Sequence, residues 1–163
     1  MPRRPLPAPP ELSEPATRVL RRFRFVFNTV KTHFQQVEKQ TGVGGAQLWA
    51  LSVIASSPGV GTGDLARAMD IHQSTASNLV RSLVARGYVQ TDKGGTDKRA
   101  VQLTLLPAGR EVLHKAPGPL TGVLHQALTT LDAETLARLD TDLARLIDAL
   151  GGDERAANIP LGQ

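Results

Sequence analysis

Apolar residues recur at alternating steps of four and three from Ala16 through Leu20, Phe23, Phe27, Val30 and Phe34 to Val37. That spacing puts them in one stripe along a helix of about six turns, widened by Val19 and Val26. Ser13 fits its N-cap and Pro15 its first turn, and Gly42, Gly44 and Gly45 end it. A second stripe, Leu136, Leu139, Leu143, Leu146 and Leu150, marks a last helix capped by Asp132 and ended by Gly151-Gly152. Helices this long with one apolar face need long partners.

Between the stripes the pattern is compact. Residues 46–56 are mostly apolar and predict a buried helix, stopped by Ser57-Pro58-Gly59. Thr62 is the expected cap of a short third helix whose inner face is Leu65, Ala66 and Met69. A fourth helix near 73–86 turns Ala76, Leu79, Val80, Leu83 and Val84 inward and stops at Gly87. Residues 88–91 and 101–105 read as strands around a glycine-bearing, charged tip. Pro107 opens a fifth helix over 107–115, and a helical stretch resumes near 120–131.

Residues 1–15 hold six of the eleven prolines and predict a disordered arm; residues 151–163 predict a flexible tail. The chain of 163 residues suits one domain or one protomer of an intertwined dimer. No run is apolar enough to span a bilayer, and no apolar stretch follows the basic N-terminus, so neither a membrane segment nor a signal peptide is expected. The absence of cysteine excludes disulfides and thiolate chemistry, and a cytoplasmic location is expected. A net charge of +4 points weakly to an anionic partner.

The fourth helix sharpens that pointer. Its polar face carries Gln73, Ser74, Thr75, Ser77, Asn78, Arg81 and Ser82, and residues 73–86 contain no acid. Asn and Gln can pair with adenine, Arg with guanine, and Ser or Thr with several base edges or phosphates. A ribbon directly after such a helix would lie beside the duplex. At its tip Arg99 suits a narrow minor groove, and Lys93 and Lys98 suit phosphates. Asp97 has the wrong charge for DNA, and its expected work is to hold Arg99 and the turn.

The stretch "GDLARAMDIHQSTASNLVRSLVARGYV", followed by "TDKRAVQLTLLPAGREVL", resembles the MarR family of bacterial transcription regulators. Asp97-Lys98-Arg99 matches the family's Asp-x-Arg wing element. The resemblance implies a mainly α fold: a winged helix-turn-helix with a two-stranded β wing, flanked by N- and C-terminal dimerisation helices. Accordingly, residues 16–150 form the domain, with the DNA-binding winged helix about 46–106 and dimerisation helices about 16–41 and 107–150. It further implies a homodimeric repressor of an inverted-repeat operator in double-stranded DNA. A small aromatic acid is implied as effector, bound between the dimer region and the DNA-binding lobe by parts of the first, second and fifth helices. Phe27, Val30, Phe34 and Trp49 are the wall candidates. The chain departs from the family at His72, where many members carry an Asp or Ser cap, and at Gly44-Gly45, where a Thr-Pro start is common.

Two other readings compete. "GVGTGD" lacks the Lys-Ser/Thr of a phosphate loop and follows no strand, and no nucleophile elbow or paired carboxylate is present, so no enzyme is expected. His33, His72, His114 and His125 form no pair at ligand spacing, and neither metal nor cofactor is expected. A winged helix that binds only protein is the alternative; an acid-rich fourth helix and a tip without bases would favour it, and this chain has neither.

Overall fold

The structure, a computed structural model, describes residues 11–93, 101–152 and 154–162. The chain forms α1 (Glu14–Thr41), α2 (Gly45–Ser56), α3 (Thr62–Ala68) and α4 (Gln73–Ala85). Then come β1 (Val89–Lys93), β2 (Val101–Leu105), α5 (Pro107–Lys115), α6 (Val123–Thr129), α7 (Ala133–Leu150) and a 3-10 turn, Glu154–Asn158.

Helix α1 starts where its cap dictates. Ser13 Oγ accepts from the Ala16 N–H at 3.4 Å, with Pro15 in the first turn, so Glu14 and Pro15 belong to the helix rather than to the preceding arm. Gly42 ends it with φ 72°, its N–H reaching Glu38 O at 2.8 Å. Gly45, expected among the residues that end α1, instead opens α2. The Phe34 ring lies where a Cβ at position 45 would stand, so glycine alone lets α2 begin this close to α1.

The core gathers around α2. Leu48, Leu51 and Ile54 pack with Val37 of α1, Leu65 and Met69 of the α3 region, Leu79, Val80 and Leu83 of α4, Val89 and Leu103 of the strands, and Val112 of α5. Helix α2 is apolar around most of its circumference because α1, α3, α4, α5 and β2 all meet it. Each fully buried leucine here contributes about 1.5–3 kcal/mol relative to exposure.

Strands β1 and β2 pair antiparallel in the register Val89↔Leu105 to Lys93↔Val101. On the other side of β2, the Leu103 N–H donates to Val60 O at 2.9 Å and Leu103 O accepts from the Gly59 N–H at 3.0 Å. The loop after α2 is thereby tied to the wing, which ties the wing to the core. Helix α3 begins one residue differently from expectation. Gly61 is its N-cap, extended at φ −80° and ψ 160°, and Thr62 is already helical with no capping bond from its side chain.

Helix α7 is capped as its sequence demands: Asp132 accepts from the Thr135 N–H at 2.8 Å and from its hydroxyl at 2.9 Å. No residue of α7 is buried. Leu136, Leu139, Leu143, Leu146, Ile147 and Leu150 all face solvent, as do Val19, Val26 and Phe27 of α1. No described helix is long and apolar enough to cross a membrane.

Candidate nucleic-acid interface

Four residues, Met69 to His72, join α3 to α4. Asp70 takes positive φ (52°), a conformation that a short polar side chain tolerates. The Ile71 N–H then donates to Ala66 O at 3.0 Å and closes the turn. Helix α4 is seated by Ala76, Leu79, Val80 and Leu83, all buried. Val84, expected with them, is 37% exposed, because the helix face rotates it past the edge of the core. Past the end of α4, Gly87 at φ 71° reverses the chain. Its N–H reaches Val84 O at 2.9 Å, and the Tyr88 N–H reaches Leu83 O at 3.0 Å.

The opposite face of α4 presents Gln73, Ser74, Asn78 and Arg81 to solvent. Arg81 Nη1 donates to Asn78 Oδ1 at 3.2 Å, so the two side chains form one donor-rich unit. Thr75 and Ser77 are half-buried, and Ser77 Oγ donates back to Gln73 O at 2.8 Å. Ser82 departs from the expected polar face: its Oγ accepts from Gln47 Nε2 at 2.8 Å, which turns it toward α2. His72 holds the N-cap position at φ −63° and ψ 145° with no capping bond, so the first-turn N–H groups of α4 have no side-chain acceptor there.

Lys93 closes β1 opposite Val101. Asp97, Lys98 and Arg99 lie outside the described residues.

Three of the four expected wall residues come together. Phe27, Val30 and Phe34 of α1 line an open cavity of about 440 Å³ with Lys31, Glu38, Gly44 and Gly45. Trp49 does not join them: its ring lies 5.5 Å from the His125 ring, tilted at 59°, on the α6 side of α2. Helix α5 contributes nothing to this cavity; its fourth side comes from Leu161 and Gly162 of the C-terminal segment. Phe34 and Gly45 are in contact, whereas Trp49, one turn further along α2, is engaged by His125 of α6. His33 is buried, its ring 5.8 Å from that of Phe34, and Asn158 Nδ2 lies 3.2 Å from His72 Nε2. Among the described residues no three His, Asp or Glu side chains gather at a common point.

The family model described as the MarR family matches residues 41–100. This stretch runs from the end of α1 through α2, α3, α4 and β1, and so contains the whole interface helix. Over residues 41–100 the chain is therefore similar to the MarR family. A MarR-family transcriptional regulator from Streptomyces coelicolor, solved in complex with DNA, shares the fold with 24% identity and a TM-score of 0.58, over 93% of this chain and 96% of that one. A variant of S. aureus MepR bound to an oligodeoxyribonucleotide superposes at 20% identity and a TM-score of 0.51, covering 81% of this chain and 97% of that one. The regulator BldR from Sulfolobus solfataricus does so at 22% identity and 0.53, covering 79% and 94%. At these identities the likeness is one of fold: helices with a two-stranded antiparallel wing. A protein of Thauera aromatica, provisionally described as the transcriptional regulatory protein for the hcr operon, is 33% identical over 101 residues. That match takes in 61% of this chain and 56% of the relative, so the chain spans little more than half of that protein's length.

Within residues 41–100 one positioning side chain was not legible in the sequence. Gln47 Oε1 accepts from the Gly44 N–H at 3.1 Å and so caps α2, while its Nε2 holds Ser82 of α4. Arg86, just past the end of α4, donates to Gly42 O at 2.8 Å and lies 5.7 Å over the Tyr88 ring. Together they fix the C-terminal half of the interface helix to the α1–α2 junction. The signal was present as a Gln three residues after the cap position, but its second bond spans 35 residues of sequence.

Proposed function

We propose that this chain is a sequence-specific DNA-binding transcriptional regulator, acting as a homodimeric repressor. The single observation that carries the reading is the solvent face of α4, where Gln73, Ser74, Asn78 and Arg81 stand exposed on a helix with no acid from 73 to 86. Solvated helix faces ordinarily mix acids and bases. A face of hydrogen-bonding groups and one guanidinium instead matches the donor and acceptor pattern of a major groove. The helix is held rigidly by Leu79, Leu83 and the Gln47–Ser82 bond, so little order has to be imposed on binding. Thr75 and Ser77 border the contact, and Arg99 at the wing tip, steadied by Asp97, enters the neighbouring minor groove with Lys93 and Lys98 on phosphates.

Residues 46–106 form the DNA-binding unit, and α1 with α5 to α7 forms the assembly region. The exposed leucines of α7 and the apolar residues of α1 support pairing with a second copy. Two copies related by a two-fold axis place two α4 helices about one helical turn apart, which calls for an inverted-repeat operator. A small aromatic acid fits the cavity of Phe27, Val30 and Phe34, where Lys31 offers a cation for a carboxylate. Selecting bound sequences from random duplexes, with and without a panel of aromatic acids, tests the whole reading. An inverted repeat enriched without ligand and lost with one is expected. Failure to enrich any sequence at low salt would contradict it.

A further inference from the structure

The C-terminal segment does not behave as a free tail. After α7 the chain returns through the turn Glu154–Asn158 and runs along the groove between α1, α2 and α4. Asn158 lies beside His72, the N-cap residue of α4. Pro160 is buried. Gly162 borders a second cavity that is walled by Asn78, Leu79 and Ser82 of α4, Gln47 of α2 and Glu38 of α1. Its carbonyl faces the Ala46 N–H at 3.5 Å, an otherwise unpartnered donor in the first turn of α2.

The seat is shaped for this segment. Gly45 and Gly162 both lie against the Cδ1–Cε1 edge of the Phe34 ring. Gly162 has φ 82°, and a Cβ there would stand 2.8 Å from the Phe34 ring, so no other residue fits without moving the ring. A side chain at position 44 would meet Gly162 O at 2.9 Å. The Gly44-Gly45 pair, unusual for a helix start, thus leaves a backbone-sized slot. What fits it is a short turn-forming peptide that presents a carbonyl to α2 and a glycine to the aromatic ring.

We propose that the segment Asn158–Gly162 is an internal ligand of this groove and lowers DNA affinity when docked. The inhibitory half rests on the DNA-binding reading above. The docked segment occupies the flank of α4 that carries Asn78 and engages the residue at its N-cap, both on the face offered to DNA. Release of the segment frees the flank. A protein whose binding-competent state is only partly populated shows an affinity reduced by that fraction.

The test uses the full chain and two substitutions. Gly162→Val strains the backbone and collides with Phe34; Asn158→Ala removes the contact to His72 without a steric demand. Docking is read by hydrogen exchange at the Ala46 amide, and function by titration of a selected duplex. Both variants are expected to speed Ala46 exchange and to tighten DNA binding by about 3- to 10-fold. The double variant should bind no tighter than Gly162→Val, because both release one segment. A synthetic peptide of residues 153–163 added to Gly162→Val should restore weaker binding. Ala46 exchange that stays unchanged in both variants would overturn the docking. Faster exchange with equal or weaker DNA binding would overturn the inhibition. If neither wild type nor variants bind any selected duplex, the DNA-binding reading falls and the inhibitory role falls with it, whatever Ala46 does.

Discussion

Asn78 and Arg81 touch on the open face of α4, and their roles separate under mutation. An asparagine amide can meet an adenine edge with both its donor and its acceptor, so Asn78→Ala should cost about 1–3 kcal/mol on the preferred operator and far less on random duplex. Equal losses on both, measured by titrating labelled DNA, would make Asn78 a backbone contact. At the wing tip, Arg99→Ala should lower affinity and flatten the slope of log K against log salt by about 0.9 or less. Asp97→Ala discriminates more sharply. Charge counting alone says that losing an acid near DNA tightens binding, whereas loss of the turn and of Arg99's partner predicts weaker binding. Titration at several salt concentrations decides, and tighter binding at every salt would make Asp97 only a solvated turn residue. The exposed polar face of α4 was legible in sequence because it is set by residue type and helical phase. The inward turn of Ser82 was not, because it depends on Gln47, a partner in another helix.

Helix boundaries followed local signals closely. Ser13, Gly42, Gly87, Pro107 and Asp132 each start or stop an element by chemistry confined to one turn. Phase at the margin of a buried face was less legible. Leu83 and Val84 both fit the inward stripe of α4, but only Leu83 is fully buried. Leu83→Ala should therefore destabilise the fold by about 2–5 kcal/mol, and Val84→Ala by about 0.5 kcal/mol or less, in chemical denaturation. Similar losses for both would contradict the observed rotation of α4. In α7, hydrogen bonds from the Thr135 backbone N–H and then its hydroxyl hold the Asp132 carboxyl below the ordinary aspartate range. A depressed pKa stabilises the folded form at pH values above the group's ordinary range, and this contribution is lost as pH falls through the folded-state value. Asp132→Ala should thus lower the thermal midpoint at neutral pH, with a shrinking difference from wild type under acid conditions. The tail was the element least legible in sequence. Its polar composition reads as solvated, and its seat exists only where Phe34, Gly44 and Gly45 meet in space.

At the scale of the whole molecule, the leucine stripe of α7 remains uncovered along its length, and so does part of the apolar surface of α1, whose stripe is buried only at Val37. Val19, Phe25 and Phe27 on α1 and the leucines of α7 are exposed together, more than a lone protomer of this size ordinarily leaves in water. Sedimentation at low micromolar concentration should give twice the chain mass, and Leu139→Asp with Leu143→Asp should shift it toward the monomer. The cavity against α1 was only partly legible. Phe27, Val30 and Phe34 share a face of α1, but Trp49 packs against His125 of α6, a contact across 76 residues that no spacing within one helix reveals. The most direct test of the central claim is the affinity of the full chain for its best selected duplex against a shuffled duplex of equal composition, measured across a salt series. A sequence-reading α4 predicts a linear fall of log K with log salt on both duplexes and a preference of about 10³-fold or more for the selected one. Equal affinity for the two at every salt would contradict it.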